Sequence, residues 1–225
     1  MHLLVTNDDG VAAPGLLALA EALEGLGKVS ILAPDRNWSA SGHVKTLHRP
    51  LRVKEVELAD GRMALASDGA PSDCVALALL GLLDEPIDLV VSGINPLANL
   101  GHDVTYSGTV TAAMEAVIFG VPGVAISLDS AENHKGRLDF SAAGQVARQV
   151  VSVLIKHGLP KKTLLNVNVP YLPFEKINGM RITRQGLRVY RDSLVRRLDP
   201  RGRPYYWIGG EAPTGIAAPG TDFGA

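Results

Sequence analysis

The stretch HLLVTNDDGVAAPGLLALAEAL, residues 2–23, decides how the rest of the chain is read. A mostly apolar run of strand length enters a polar turn. Behind Pro14, a residue suited to the first turn of a helix, apolar residues then recur at helical spacing. Strand, short loop and helix make the first half of a βαβ unit. Within the loop, Asp8 stands beside Asp9 with no Lys or Arg next to either. Asn, Asp and Gly suit a turn for backbone reasons, but a turn needs only one acid. The second acid raises the question of a cation shared between them.

Outward from this unit the pattern repeats. KVSILAP (28–34) reads as a second strand, and LRVKEVEL with RMALAS as a hairpin across ADG. PSDCVALALLGLL reads as a helix, IDLVVSG as a buried strand, GTVTAAMEAVIFG as a helix and GVAISL as a strand. An amphipathic helix over 139–157 leads to the strand KTLLNVNV. Such alternation predicts an α/β fold, a largely parallel sheet flanked by helices. After Pro170 the helical period stops and short β-like runs appear, GMRITRQ and PYYWIGG among them. The expected organisation is an α/β core over 1–170 and a β-rich extension over 171–225 that packs on the body or exchanges with a second copy.

Composition narrows the class. In 225 residues, 46% are hydrophobic and 20% charged, with a net charge of −1, so nothing favours a nucleic-acid polymer or a membrane surface as partner. The basic residues of 181–203 are interleaved with acids and prolines, as in a solvated or partner-facing arm. Cys74 is the only cysteine, which rules out an internal disulfide. The first residues lack the basic and cleavage features of a secretory leader, and the expected setting is cytoplasmic. No GxxxxGK[ST], GxGxxG or GxSxG occurs, so P-loop, dinucleotide and serine-hydrolase readings lose their usual support.

In an open parallel sheet, ligands bind beyond the carboxyl ends of the strands. The loops there carry Asp8 and Asp9, then Ser39 in DRNWSASGH, then Asn95 and Asn99 in GINPLANLG. Each residue has an ordinary turn or loop reading. Together they form an oxygen-only ligand set, which suits Mg²⁺, Mn²⁺ or Ca²⁺. His43 and His102 lie near these loops and could serve a zinc-like ion instead, without any HxxxH spacing to support it. Ser107, Gly108 and Thr109 stand at a helix start, a position for a cap, for a phosphate, or for both.

These motifs resemble the SurE (survival protein E) family of metal-dependent 5′/3′-nucleotidases. The likeness rests on NDDG with APG (7–15), APDRNWSASG (33–42), GAPSDCV (69–75), VVSGIN (90–95) and NLGHDVTYSGTVTAAMEA (99–116), and it continues through LNVNVP (165–170), DPRGRPYYWIGG (199–210) and GTDFGA (220–225). The resemblance implies a Rossmann-like body and a divalent metal, Mg²⁺ or Mn²⁺, held by Asp8, Asp9, Ser39 and Asn95. It implies a phosphate pocket of Asn95, Ser107, Gly108 and Thr109. For hydrolysis there, the expected catalytic base is Asp8 or Asp9, whichever keeps an oxygen free of the metal. The implied substrates are nucleoside 5′- and 3′-monophosphates, and short polyphosphate for some members. The implied assembly is a homodimer or homotetramer through the C-terminal arm. Three positions depart from the family pattern: Leu97 and Ala116 replace common glycines, and relatives usually continue past the position of Ala225. The alternative readings are a metal-dependent nucleotide-binding protein without hydrolysis and a nucleotide-sugar transferase.

Overall fold

A computed structural model describes residues 1–131 and 133–225, the side chains of 211–213 apart. The chain divides into two compact units, one of 1–99 with 104–179 and one of 100–103 with 180–225.

The larger unit is built on a seven-stranded sheet. Its elements run β1 (His2–Thr6), α1 (Pro14–Leu23), β2 (Lys28–Pro34), β3 (Val53–Glu57), β4 (Met63–Ser67), α2 (Pro71–Leu77), β5 (Leu89–Asn95), α3 (Gly108–Ile118), β6 (Gly123–Asp129), α4 (Ser141–His157) and β7 (Leu164–Pro170). The strand order is β3-β4-β2-β1-β5-β6-β7, and only β3 runs antiparallel to its neighbour. The six strands β1, β2, β4, β5, β6 and β7, numbered 1 to 6 in chain order, therefore lie 3-2-1-4-5-6 across the sheet. That is the doubly wound Rossmann order, in which the direction of winding reverses between the first and fourth strands. Here the reversal falls between β1 and β5, so the loops after them diverge to opposite faces and leave a crevice.

Strand alternation sorts the core into two layers. Leu3 and Val5 of β1 pack with Leu16, Leu19 and Leu23 of α1 and with Ala143, Val146 and Ala147 of α4. Leu4, one residue out of phase, packs with Cys74 and Val75 of α2 and with Ala112 and Ala116 of α3. Ala116 is fully buried, so its methyl group belongs to the packing of α3. The sequence-predicted helix over 71–83 is shorter than expected. α2 gives way after Leu77 to a widened turn, Ala78–Leu82, because Gly81 takes a positive φ of 106° that a continuing helix excludes.

The smaller unit is a hairpin, β8 (Arg188–Leu198) paired antiparallel with β9 (Pro204–Gly215). The predicted strand PYYWIGG lies within β9. GMRITRQ forms no strand and contributes a single bridge, Arg184 to Thr221. The interleaved basic segment instead supplies β8. Among the described residues no helix is long and apolar enough to cross a membrane.

Candidate active site

The NDDG loop separates turn chemistry from charge. The Asn7 Nδ2 donates to the Gly10 carbonyl at 3.0 Å, and the Gly10 N–H donates to Asn7 Oδ1 at 3.2 Å. Gly10 has a φ of 106°, and a Cβ there would lie 3.2 Å from the Arg36 backbone. Asn7 and Gly10 thus make the turn by themselves, and neither aspartate is needed for it.

Asp8 is buried at the start of α3, on the far side of the switch point. The Thr109 hydroxyl donates to Asp8 Oδ1 at 2.5 Å, and the backbone N–H groups of Gly108 and Thr109 also favour its ionised form. Burial outweighs them and pushes its carboxyl above the usual carboxylate range. A Cβ on Gly108 would fall 2.6 Å from the Asp8 Cβ, so only glycine lets the helix start come this close. Asp9 is more accessible than Asp8. Burial, with the Asp8 charge beside it, raises its carboxyl to about 7. Among the described residues, no cationic group contributes to either carboxylate. Two adjacent acids without a counter-charge are what a hard divalent cation would relieve.

The loop after β2 reaches this rim through its backbone. The Trp38 N–H donates to the Asp8 carbonyl at 2.7 Å, and the Asn37 Nδ2 lies 3.5 Å from Asp9 Oδ1. The Asn37 Oδ1 accepts from the Ser39 N–H at 2.7 Å, while the Ser39 side chain stands exposed. Asn95 ends β5, past an irregularity in the ladder between Ser92 and Asn95. Its Nδ2 donates to the Leu97 carbonyl at 2.5 Å. Ser107 caps α3, its hydroxyl accepting from the Val110 N–H at 3.1 Å.

Other candidates find structural partners. Asn99 is buried; its side-chain amide donates to the Ser127 hydroxyl of β6 at 2.8 Å, and its backbone carbonyl accepts from Asn166 and Asn168 of β7, so the residue ties the loop to both strands. His43 faces Glu115 of α3 at 2.7 Å rather than a metal cluster. No group of three or more His, Cys, Asp and Glu side chains converges as a metal site among the described residues. Cys74 is a buried free thiol, as its apolar surroundings predict.

Two features escape a reading by motif. Asn37 sits between the better-known letters of its loop, and its contact with Asp9 depends on the loop's fold. Glu115 is 3% exposed and holds both His43 and Lys45, fastening the segment that carries Ser39 onto α3. The Thr111 hydroxyl donates to the Gly42 carbonyl at 3.1 Å, and Asp73 accepts from the Thr46 N–H at 2.9 Å and hydroxyl at 2.6 Å. An acid on an otherwise apolar helix face, as in AAMEAV, was the available signal.

With this geometry in place, comparison with known proteins decides the family. The model of survival protein SurE matches residues 3–192. The chain belongs to the SurE family. A relative named 5′-nucleotidase SurE from Herpetosiphon aurantiacus is 57% identical over all of this chain and 88% of its own length. One of the same name from Geobacter sulfurreducens is 52% identical over all of this chain and 83% of its own. The crystal structure of the SurE protein from Aquifex aeolicus, 42% identical, superposes with a TM-score of 0.84 over all of this chain and 88% of that one. The Rossmann-order sheet is therefore the SurE fold.

Proposed function

We propose that this SurE chain is a divalent-metal-dependent phosphomonoesterase that hydrolyses nucleoside 5′- and 3′-monophosphates, and short polyphosphate as a further substrate. One observation carries the reading: Asp8 and Asp9 share a rim without a cation of the protein, against the start of α3. The names of the relatives, 5′-nucleotidase SurE, support the substrate class.

Asp8, Asp9, Ser39 and Asn95 are the residues that would hold Mg²⁺ or Mn²⁺. Bound there, the ion supplies charge neutralisation at the phosphoryl group and acidifies water. Asn95, Ser107, Gly108 and Thr109 hold the equatorial phosphate oxygens, the first turn of α3 adding the positive end of its dipole. Thr109 also fixes Asp8 Oδ1 through its hydroxyl. Asp9, the more accessible acid, accepts the proton of the attacking water.

Release of inorganic phosphate from AMP should require Mg²⁺ or Mn²⁺ and stop with EDTA. Binding of AMP and the metal without any adenosine formed would instead mark a nucleotide-binding protein. Exposed Leu194, Leu198, Trp207 and Ile208 on the hairpin support association of copies through this arm as a dimer or tetramer. Light scattering should find that assembly in the native chain and a smaller species in Trp207→Ala/Ile208→Lys. The buried free thiol of Cys74 fits a reducing, cytoplasmic setting.

A further inference from the structure

Next to the acidic rim lies a cleft of about 320 Å³ to which Asp9 contributes one wall. The other walls are apolar, from Ala13, Pro14, Ile94, Pro96, Leu138 and Phe140, with Arg137 as the one basic lining residue among the described residues. Its base is rigid. Gly15 packs so tightly on β5 that a Cβ there would meet the Ile94 carbonyl at 2.1 Å and the Phe140 ring at 3.3 Å. Phe140 in turn packs on the main core. The cleft falls within the size range of small-molecule sites, and its chemistry matches them, apolar faces with few polar groups.

We infer that this cleft is the nucleobase subsite, and that Arg137 selects bases carrying an exocyclic oxygen. The inference rests on the nucleotidase reading for where the phosphate sits. A phosphate on the rim leaves the base one ribose away, and this cleft opens from the rim at Asp9. A purine or pyrimidine has apolar faces for the proline, leucine and phenylalanine walls. Its edge meets a guanidinium that offers donors and no acceptor. Guanine presents the acceptor pair O6 and N7 to such a fork, whereas adenine replaces the oxygen with an amino donor.

Two variants of the full chain test this, Ala13→Trp to fill the cleft and Arg137→Ala to remove the donor fork. GMP, AMP and ribose 5-phosphate serve as substrates with Mn²⁺. Ala13→Trp should lower the ratio of kcat/KM for GMP to that for ribose 5-phosphate by about ten-fold or more, and Arg137→Ala should lower the GMP-to-AMP ratio by about ten-fold. Binding of guanosine, read by saturation-transfer NMR without metal, should be lost in Ala13→Trp. That measurement decides the subsite even if the wild-type chain releases no phosphate, a result that would sink the nucleotidase reading alone. Equal losses across the three substrates, or guanosine binding that persists in Ala13→Trp, would overturn the inference.

Discussion

Glu115 and the Asp8–Asp9 pair both bury carboxylates in the same unit, and the two places answer the cost of burial differently. Glu115 draws His43 and Lys45 onto its two oxygens, so the charge is balanced by the protein itself. Asp8 and Asp9 have hydroxyl and amide contacts but no basic side chain, and burial raises both carboxyls. A chain able to supply counter-charges two helical turns along α3 leaves the rim without one. The contrast fits Glu115 to holding a loop in place and supports the proposal that the aspartates take an ion from outside.

The largest effect that sharpens this contrast is on turnover. Asp8→Asn or Asp9→Asn should reduce phosphate release from AMP by about 10²–10⁴-fold while the fold persists by circular dichroism. Normal rates in either variant would break the comparison. Glu115→Ala should act on stability first, by about 2–3 kcal/mol in urea unfolding. That lies at or below the ~3–5 kcal/mol for a broken buried pair, because His43 and Lys45 retain access to water. Gly108→Ala pushes a methyl group into Asp8 and should cost about 1–3 kcal/mol, with phosphate release falling as the helix start retreats.

The smallest effect carries the opposite sign. Asp9 has a folded carboxyl near 7 against an unfolded value of 3.8. Below the unfolded value both states are protonated. Between the two the folded state holds the extra proton, so stability of the metal-free protein falls as pH rises through that window. Asp9→Asn should remove the decline and raise the melting temperature at pH 8 by about 2–4 °C, where Glu115→Ala lowers it. Added Mn²⁺ should reverse the wild-type decline and leave Asp9→Asn unmoved.

Most of the sheet was legible because period and punctuation agreed. β1, β2 and the hairpin β3–β4 follow from apolar runs ended by Asn, Pro and Gly, and α3 from its Ser-Gly-Thr start. β8 was not, because RVYRDSLVRRL mixes charge and apolar residues without a buried face to select one phase. The rim itself was suggested by oxygen-bearing residues on successive loops. What no pattern could give is the use of each side chain. Asn99 and His43 look like ligands on paper and serve a serine hydroxyl and a buried acid in space. Asn37 meets Asp9 in a loop whose next residue, Trp38, donates its N–H to the Asp8 carbonyl.

The hydrogen bond from Thr109 to Asp8 joins residues 101 positions apart. During synthesis the amino-terminal acids therefore emerge long before the helix that orients them, and β5 must be in place between. Until then the two carboxylates have no helix start against them. The setting that buries Asp8 against Gly108 and Thr109 exists only once the sheet has closed around its central strand.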